Sequence, residues 1–98
     1  MKGVFLVLAL LFASIGGLAQ TADSVYLFSY FVNNGEDGLH LAWSEDGLSW
    51  EALHNNQSFL KPEVGKDKLM RDPCIIGTPD GIFHMVWTVS WGEKGIGY

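Results

Sequence analysis

Tyr26-Leu27-Phe28-Ser29-Tyr30-Phe31-Val32, followed by Asn33-Asn34-Gly35-Glu36-Asp37-Gly38-Leu39, is the stretch that decides the fold. From Val25 to Val32 the chain is rich in aromatic and β-branched side chains and apolar on both alternating faces. That pattern predicts a strand covered on both sides. The Asn, Gly and Asp residues after it are a dense turn signal. Leu39 to Ser44 then alternates, with Leu39, Leu41 and Trp43 on one face and His40, Ala42 and Ser44 on the other, as the return strand of a hairpin does. Glu45-Asp46-Gly47 makes a second turn, and Leu48 to Leu53 supplies a third short strand.

The same text recurs further along. At a shift of 57 residues, Tyr26 to Leu39 lies over Phe83 to Ile96. Aromatic meets aromatic at Tyr26/Phe83 and Tyr30/Trp87, and Gly-Glu-x-Gly followed by Leu or Ile matches without a gap. The glycines fall in the turn, where geometry favours a residue free to take positive φ. A repeat of this length built from short antiparallel strands points to the blades of a β-propeller. The second copy stops at Tyr98, two residues into the strand that the first copy continues. The expectation is therefore fewer than two blades, from the beginning of a longer propeller, since closure takes about four to eight blades.

Between the copies, residues 54 to 71 show no period of two or of 3.6. Lys61, Lys66, Lys68 and Arg71 fall in this stretch, with Glu63, Asp67 and Asp72 close by, and the stretch reads as a solvated connection. Pro73 to Gly77 resumes as a strand. Thr78-Pro79-Asp80-Gly81 is a turn, Ile82 to Val89 a further strand, and Ser90 to Gly95 a further turn. No amphipathic helix of useful length follows residue 19, so the class is all-β.

Residues 1 to 19 have the three-part layout of a secretory leader. Lys2 supplies the positive start, Val4 to Ala13 the apolar run, and Gly17-Leu18-Ala19 the small residues of a cleavage site. The apolar run is short for a bilayer span and no second one exists, so no membrane span is expected. The chain carries a formal charge of −5, and −6 without Lys2. Such a balance excludes the basic footprint of a nucleic-acid binder. Cys74 stands alone, which excludes an internal disulfide, and beside Ile75 and Ile76 it reads as a small buried hydrophobe. Residues 20 to 98 form the expected working part, secreted or periplasmic, and would bury little core alone.

Tyr26-Leu27-Phe28, Gly38-Leu39-His40-Leu41-Ala42, Ser44-x-Asp46-Gly47-Leu48-x-Trp50, Met70-Arg71-Asp72-Pro73-x-Ile75 and Asp80-Gly81-x-Phe83-His84-Met85-Val86-Trp87-Thr88 together resemble the first blades of glycoside hydrolase family 43. The resemblance spans residues 25 to 98. Its most telling element is Arg71-Asp72-Pro73 leading into a hydrophobic strand, also present in the related family-32 fructan hydrolases. It implies a five-bladed propeller that removes arabinose or xylose units from plant polysaccharides, without a cofactor. Chemistry of that kind needs a general acid, a general base and a third carboxylate that holds the acid's pKa up. By the resemblance, Asp72 is the third carboxylate; read from the residues alone, Asp-Pro at a loop-to-strand junction is also a common way to begin a strand.

The base normally stands in or just before the first blade, often as Asp-Pro. Here Asp23 is followed by Ser24, and the acidic Glu of a later blade is missing. The resemblance thus implies one of three catalytic positions in this chain and no hydrolysis by these residues alone. A non-catalytic carbohydrate-binding or scaffold propeller is the alternative, with an oligo- or polysaccharide as partner in either case.

The remaining candidates each have two readings. Arg71 is a substrate-binding group or simply the salt-bridge partner of Asp72. Trp91 replaces Asn34 of the first copy, so it either stacks on a sugar ring or pins its own hairpin. His84 shares a strand face with Ile82 and Val86 and reads as a satisfied core histidine or a substrate contact. Glu36 and Glu93 occur once per copy, which favours a shared structural job. Trp43, Trp50 and Trp87 read as core. No Cys/His grouping has metal-ligand spacing.

Overall fold

The computed structural model describes residues 24–98; the leader expected at residues 1 to 19 lies outside them. Six strands follow in chain order: β1 (Tyr26–Tyr30), β2 (His40–Ser44), β3 (Glu51–Ala52), β4 (Arg71–Gly77), β5 (Phe83–Thr88) and β6 (Ile96–Gly97). They form two three-stranded sheets, β1-β2-β3 and β4-β5-β6, each an antiparallel meander. A single 3-10 turn at His54–Asn56 is the one helical element among the described residues. Two small sheets of sequentially paired strands are the construction of propeller blades, as the repeat predicts.

The repeat is geometric as well as textual. In the first hairpin Tyr30 pairs with His40; in the second Trp87 pairs with Gly97. Each partner moves by 57 residues, so the two hairpins share one register. The sheets are nonetheless offset, because the repeated hairpin opens the first sheet and closes the second. The positions equivalent to β4 would be residues 14 to 20, outside the described residues.

The turns agree at one glycine and differ at the other. Gly38 and Gly95 both take positive φ, +105° and +140°. Gly35 also does so, and a Cβ there would stand 2.8 Å from the Met70 carbonyl oxygen, whereas Gly92 faces open space. The first glycine is thus required in the first copy only, where the chain returning at Met70 closes on the turn through Met70 N–H donating to the Gly35 carbonyl, 2.9 Å.

The sheets meet along β1 and β4, where the Ser29 hydroxyl donates to the Pro73 carbonyl at 2.6 Å. The buried apolar residues are Leu39, Ala42, Leu69, Met70 and Val89, a small core drawn mainly from strand ends and the connection into β4. Ser29 and Tyr30 are half-buried, but Tyr26, Leu27 and Phe28 stay 50–59% exposed. The expected double coverage of β1 therefore holds only at its last residues, because β4 meets that end alone. Phe83 at the start of β5 is 73% exposed for want of the same cover.

Three other expectations change. Cys74 is exposed. The β4–β5 pairing shifts by one residue between Arg71 and Cys74, which turns Pro73 inward and Cys74 outward. The third strand shrinks to Glu51–Ala52, because Leu48 and Ser49 are spent on the preceding turn. Trp50 is 44% exposed rather than core.

That turn is the Ser44-x-Asp46-Gly47-x-x-Trp50 signature. Ser44 Oγ, buried at the end of β2, accepts the Gly47 N–H at 2.8 Å and donates to Asp46 Oδ1. Asp46 Oδ1 accepts the N–H groups of Leu48 and Ser49, each at 2.8 Å. The Trp50 indole donates back to the Gly47 carbonyl. These bonds, led by those from Ser49 and Leu48, hold the Asp46 carboxyl below its ordinary value. Thr78 to Ile82 repeats the device: Asp80 takes the Thr78 hydroxyl and the Ile82 N–H, and its carboxyl is lowered by those bonds in that order.

Candidate functional site

Arg71 opens β4 opposite Thr88 of β5, at the end of the second sheet that faces the loop Ser90 to Gly95. It is half-buried, unlike the exposed Lys61, Lys66 and Lys68 with which composition grouped it. Its guanidinium lies 3.7 Å from the centroid of the Trp91 ring and 5.5 Å from that of Phe31. A delocalised, weakly hydrated cation suits an aromatic surface of this kind. Its Nε is buried and has no hydrogen-bond partner among the described residues.

Asp72 is the residue beyond, exposed, with φ +50°. Left-handed backbone is uncommon outside glycine, though Asp tolerates it better than most. The following Pro73 adds a second restriction, since residues before proline favour extended backbone. The strain is held by the neighbours: Pro73 is buried and its carbonyl takes the Ser29 hydroxyl, while Met70 is buried on the other side and bonded to Gly35. Strained residues fixed by their surroundings concentrate at functional sites.

Trp91 is 68% exposed, yet its backbone is tied down. Asp67 Oδ2 accepts the Ser90 hydroxyl at 2.5 Å and the Trp91 N–H at 3.1 Å. The Ser90 hydroxyl, then the Trp91 N–H, keep the Asp67 carboxyl below its ordinary value, and Lys66 adds to this. Leu69 N–H donates to the Val89 carbonyl and Lys66 N–H to Glu93 Oε2. The irregular connection thus becomes a strap along the loop that carries Trp91. Glu93 and Glu36 both serve as acceptors for backbone N–H, Glu36 taking that of Asn34.

Arg71 and Trp91 therefore come together, with Asp72 beside Arg71 only as its neighbour in the chain, and His84 does not join them. His84 lies four residues before Thr88 along β5, about 13 Å away at strand rise, paired with Ile76. It is half-buried, and its Nδ1 meets the Tyr98 hydroxyl at 2.5 Å. A cleft of about 380 Å³ lined by Leu60, Phe83, His84, Trp87 and Tyr98 lies at that end. Asp72 stands outside this cleft and outside those at Trp43–Glu51, at Phe28–Ala52 and at Lys66–Lys94. No group of three His, Cys, Asp or Glu side chains able to hold a metal ion occurs among the described residues. No helix of the described residues is long and apolar enough to cross a membrane.

Sequence reading missed Phe31 and Asp67. Phe31 looked like one more strand aromatic, and Asp67 one of several acids cancelling a lysine run; no pattern links either to Arg71.

An all-β chain of two blade-like meanders, with Arg-Asp-Pro where the two sheets meet, is built as part of a β-propeller. A family model described as "Probable glycosyl hydrolase domain", related to glycosyl hydrolase family 43, matches residues 23–91. The chain belongs to that family, which points to a carbohydrate as its partner. No curated protein and no solved structure matches it.

Proposed function

We propose that this chain is part of a secreted glycoside hydrolase that removes arabinose or xylose units from plant-type polysaccharides, with Asp72 as the carboxylate that sets the pKa of the general acid. The observation that carries this reading is Asp72 itself, a non-glycine residue kept at positive φ before a proline and beside a stacked arginine. The bulge between Arg71 and Cys74 places this residue off the regular strand path, and the family match over residues 23–91 supports reading the position as functional. In the proposed reaction the acid protonates the leaving oxygen while a base activates water on the opposite face of the sugar. An inverting pair would stand roughly 6.5–9.5 Å apart. The base belongs in or just before the first blade and the acid in a later one, and a fixed negative charge at Asp72 keeps that acid protonated at working pH. Arg71 reads the substrate's hydroxyls from the same edge.

The test is Asp72→Asn in the full-length gene product, assayed on aryl arabinosides and xylosides. Folding unchanged and turnover reduced by about a hundredfold or more is expected for a lost acid–base contribution. Unchanged turnover removes Asp72 from the mechanism. Sugar binding without turnover by the wild type would instead favour a carbohydrate-binding propeller.

A further inference from the structure

We propose that Trp91 is a positioning residue for Arg71, and that the strap residue Asp67 sets it in place. An exposed tryptophan in a carbohydrate-active protein invites assignment as a platform for a sugar ring. Here one face is already taken, because the Arg71 guanidinium sits 3.7 Å from the centre of the ring. The distance is well within the range of a cation–π contact.

The contact is built from three sides. Phe31, just past the end of β1, brings a second ring to within 5.5 Å of the same guanidinium. The loop carrying Trp91 is pinned where it leaves β5 by Leu69 N–H on the Val89 carbonyl, and two residues beyond Trp91 by Lys66 N–H on Glu93. Between these points a single oxygen of Asp67 takes both the Ser90 hydroxyl and the N–H of Trp91. The ring therefore hangs from a backbone fixed at three neighbouring positions. Arg71, by contrast, has no carboxylate partner within ion-pair distance among the described residues, and its buried Nε has no acceptor. Aromatic contact, not a salt bridge to Asp72, orients the guanidinium. With its plane fixed in this way, the terminal N–H groups keep a constant direction, as a planar donor fork requires for reading paired oxygens, while Nε–H stays buried.

The inference rests on the proposed glycosidase function only for what Arg71 then binds. Its test therefore begins with a measurement that needs no substrate. In the full-length gene product, the Arg71 Nε–H resonance, assigned by its disappearance in Arg71→Lys, should lie upfield through the ring current of Trp91. Trp91→Ala should return it to the position of an ordinary arginine, Trp91→Phe should retain most of the displacement, and Asp67→Ala should lose part of it. On aryl glycosides, Trp91→Ala should raise KM about tenfold with a smaller change in kcat, as loss of one cation–π contact would, and Trp91→Phe should restore it. An Arg71 resonance already at the ordinary position in the wild type overturns the proposal. So does a KM effect of Trp91→Ala that leaves that resonance where it was, since a sugar platform would behave in that way. Absence of any turnover by the wild type counts against the glycosidase reading and leaves the resonance measurement to decide the role of Trp91.

Discussion

Replacing Asp72 by glycine and by alanine should give opposite effects on stability, in the reverse of the usual order. In an ordinary strand, glycine is worse than alanine by roughly 0.5–1 kcal/mol through the entropy of the unfolded chain. Asp72 has φ +50°, and a side chain with a Cβ in that region costs about 1–2 kcal/mol. Glycine removes that penalty and incurs the entropic one, so Asp72→Gly should be stabilising by up to about 1 kcal/mol or neutral. Alanine keeps the strain and loses the local tolerance that Asp has for left-handed backbone, so Asp72→Ala should cost about 1 kcal/mol. The pair should therefore differ by about 1–2 kcal/mol in favour of glycine. Urea unfolding of both variants in the full-length gene product, with unchanged m-values, reads the difference from the two midpoints. Alanine equal to or better than glycine would mean that the backbone at Asp72 is not strained, and the principal reason for assigning it a function would go.

Other consequences are local. Ser44→Ala removes a buried hydroxyl that serves the Gly47 N–H and Asp46; a loss of about 1–3 kcal/mol should appear in the same unfolding assay. Asp46 has its carboxyl lowered in the folded state, so its contribution is present above the ordinary value of 3.8 and is lost as pH falls through the lower folded value. Asp46→Asn should accordingly flatten the decline in stability below about pH 4, seen as a smaller difference in melting temperature between pH 5 and pH 3 than the wild type shows. A Cβ at Gly97 would overlap the Trp87 ring lying across it. Gly97→Ala should therefore destabilise by about 1–3 kcal/mol, by the overpacking rule, and disturb the Trp87 indole resonance.

The hairpins and their turns were legible because they rest on local chemistry. Alternation, Gly-Glu-x-Gly and Ser-x-Asp-Gly-x-x-Trp each act within about ten residues, and the structure places a hairpin or turn at every one. Coverage was not legible. The apolar run at Tyr26 to Phe28 says that both faces suit burial, but which element covers them is decided by long-range packing, here by β4 at one end only. Cys74 went astray for a different reason. A one-residue shift beside Arg71 exchanges the two faces of β4, and nothing in Arg-Asp-Pro-Cys announces the bulge. The pairing of Arg71 with Trp91 joins residues twenty positions apart through Asp67, which no period or spacing encodes. Asp-Pro was legible as a candidate, whereas the positive φ that separates it from an ordinary strand start is a property of the folded chain.

The role assigned to Asp72 is tested most directly by the pH dependence of kcat/KM on an aryl arabinoside or xyloside, compared between the wild type and Asp72→Asn. A neighbouring negative charge raises the pKa of the general acid, and the acid must be protonated to act. Removing that charge should move the alkaline limb of the profile to lower pH by on the order of one unit, while the acid limb, set by the base, moves less. An alkaline limb that stays in place in a folded Asp72→Asn protein would contradict the assignment.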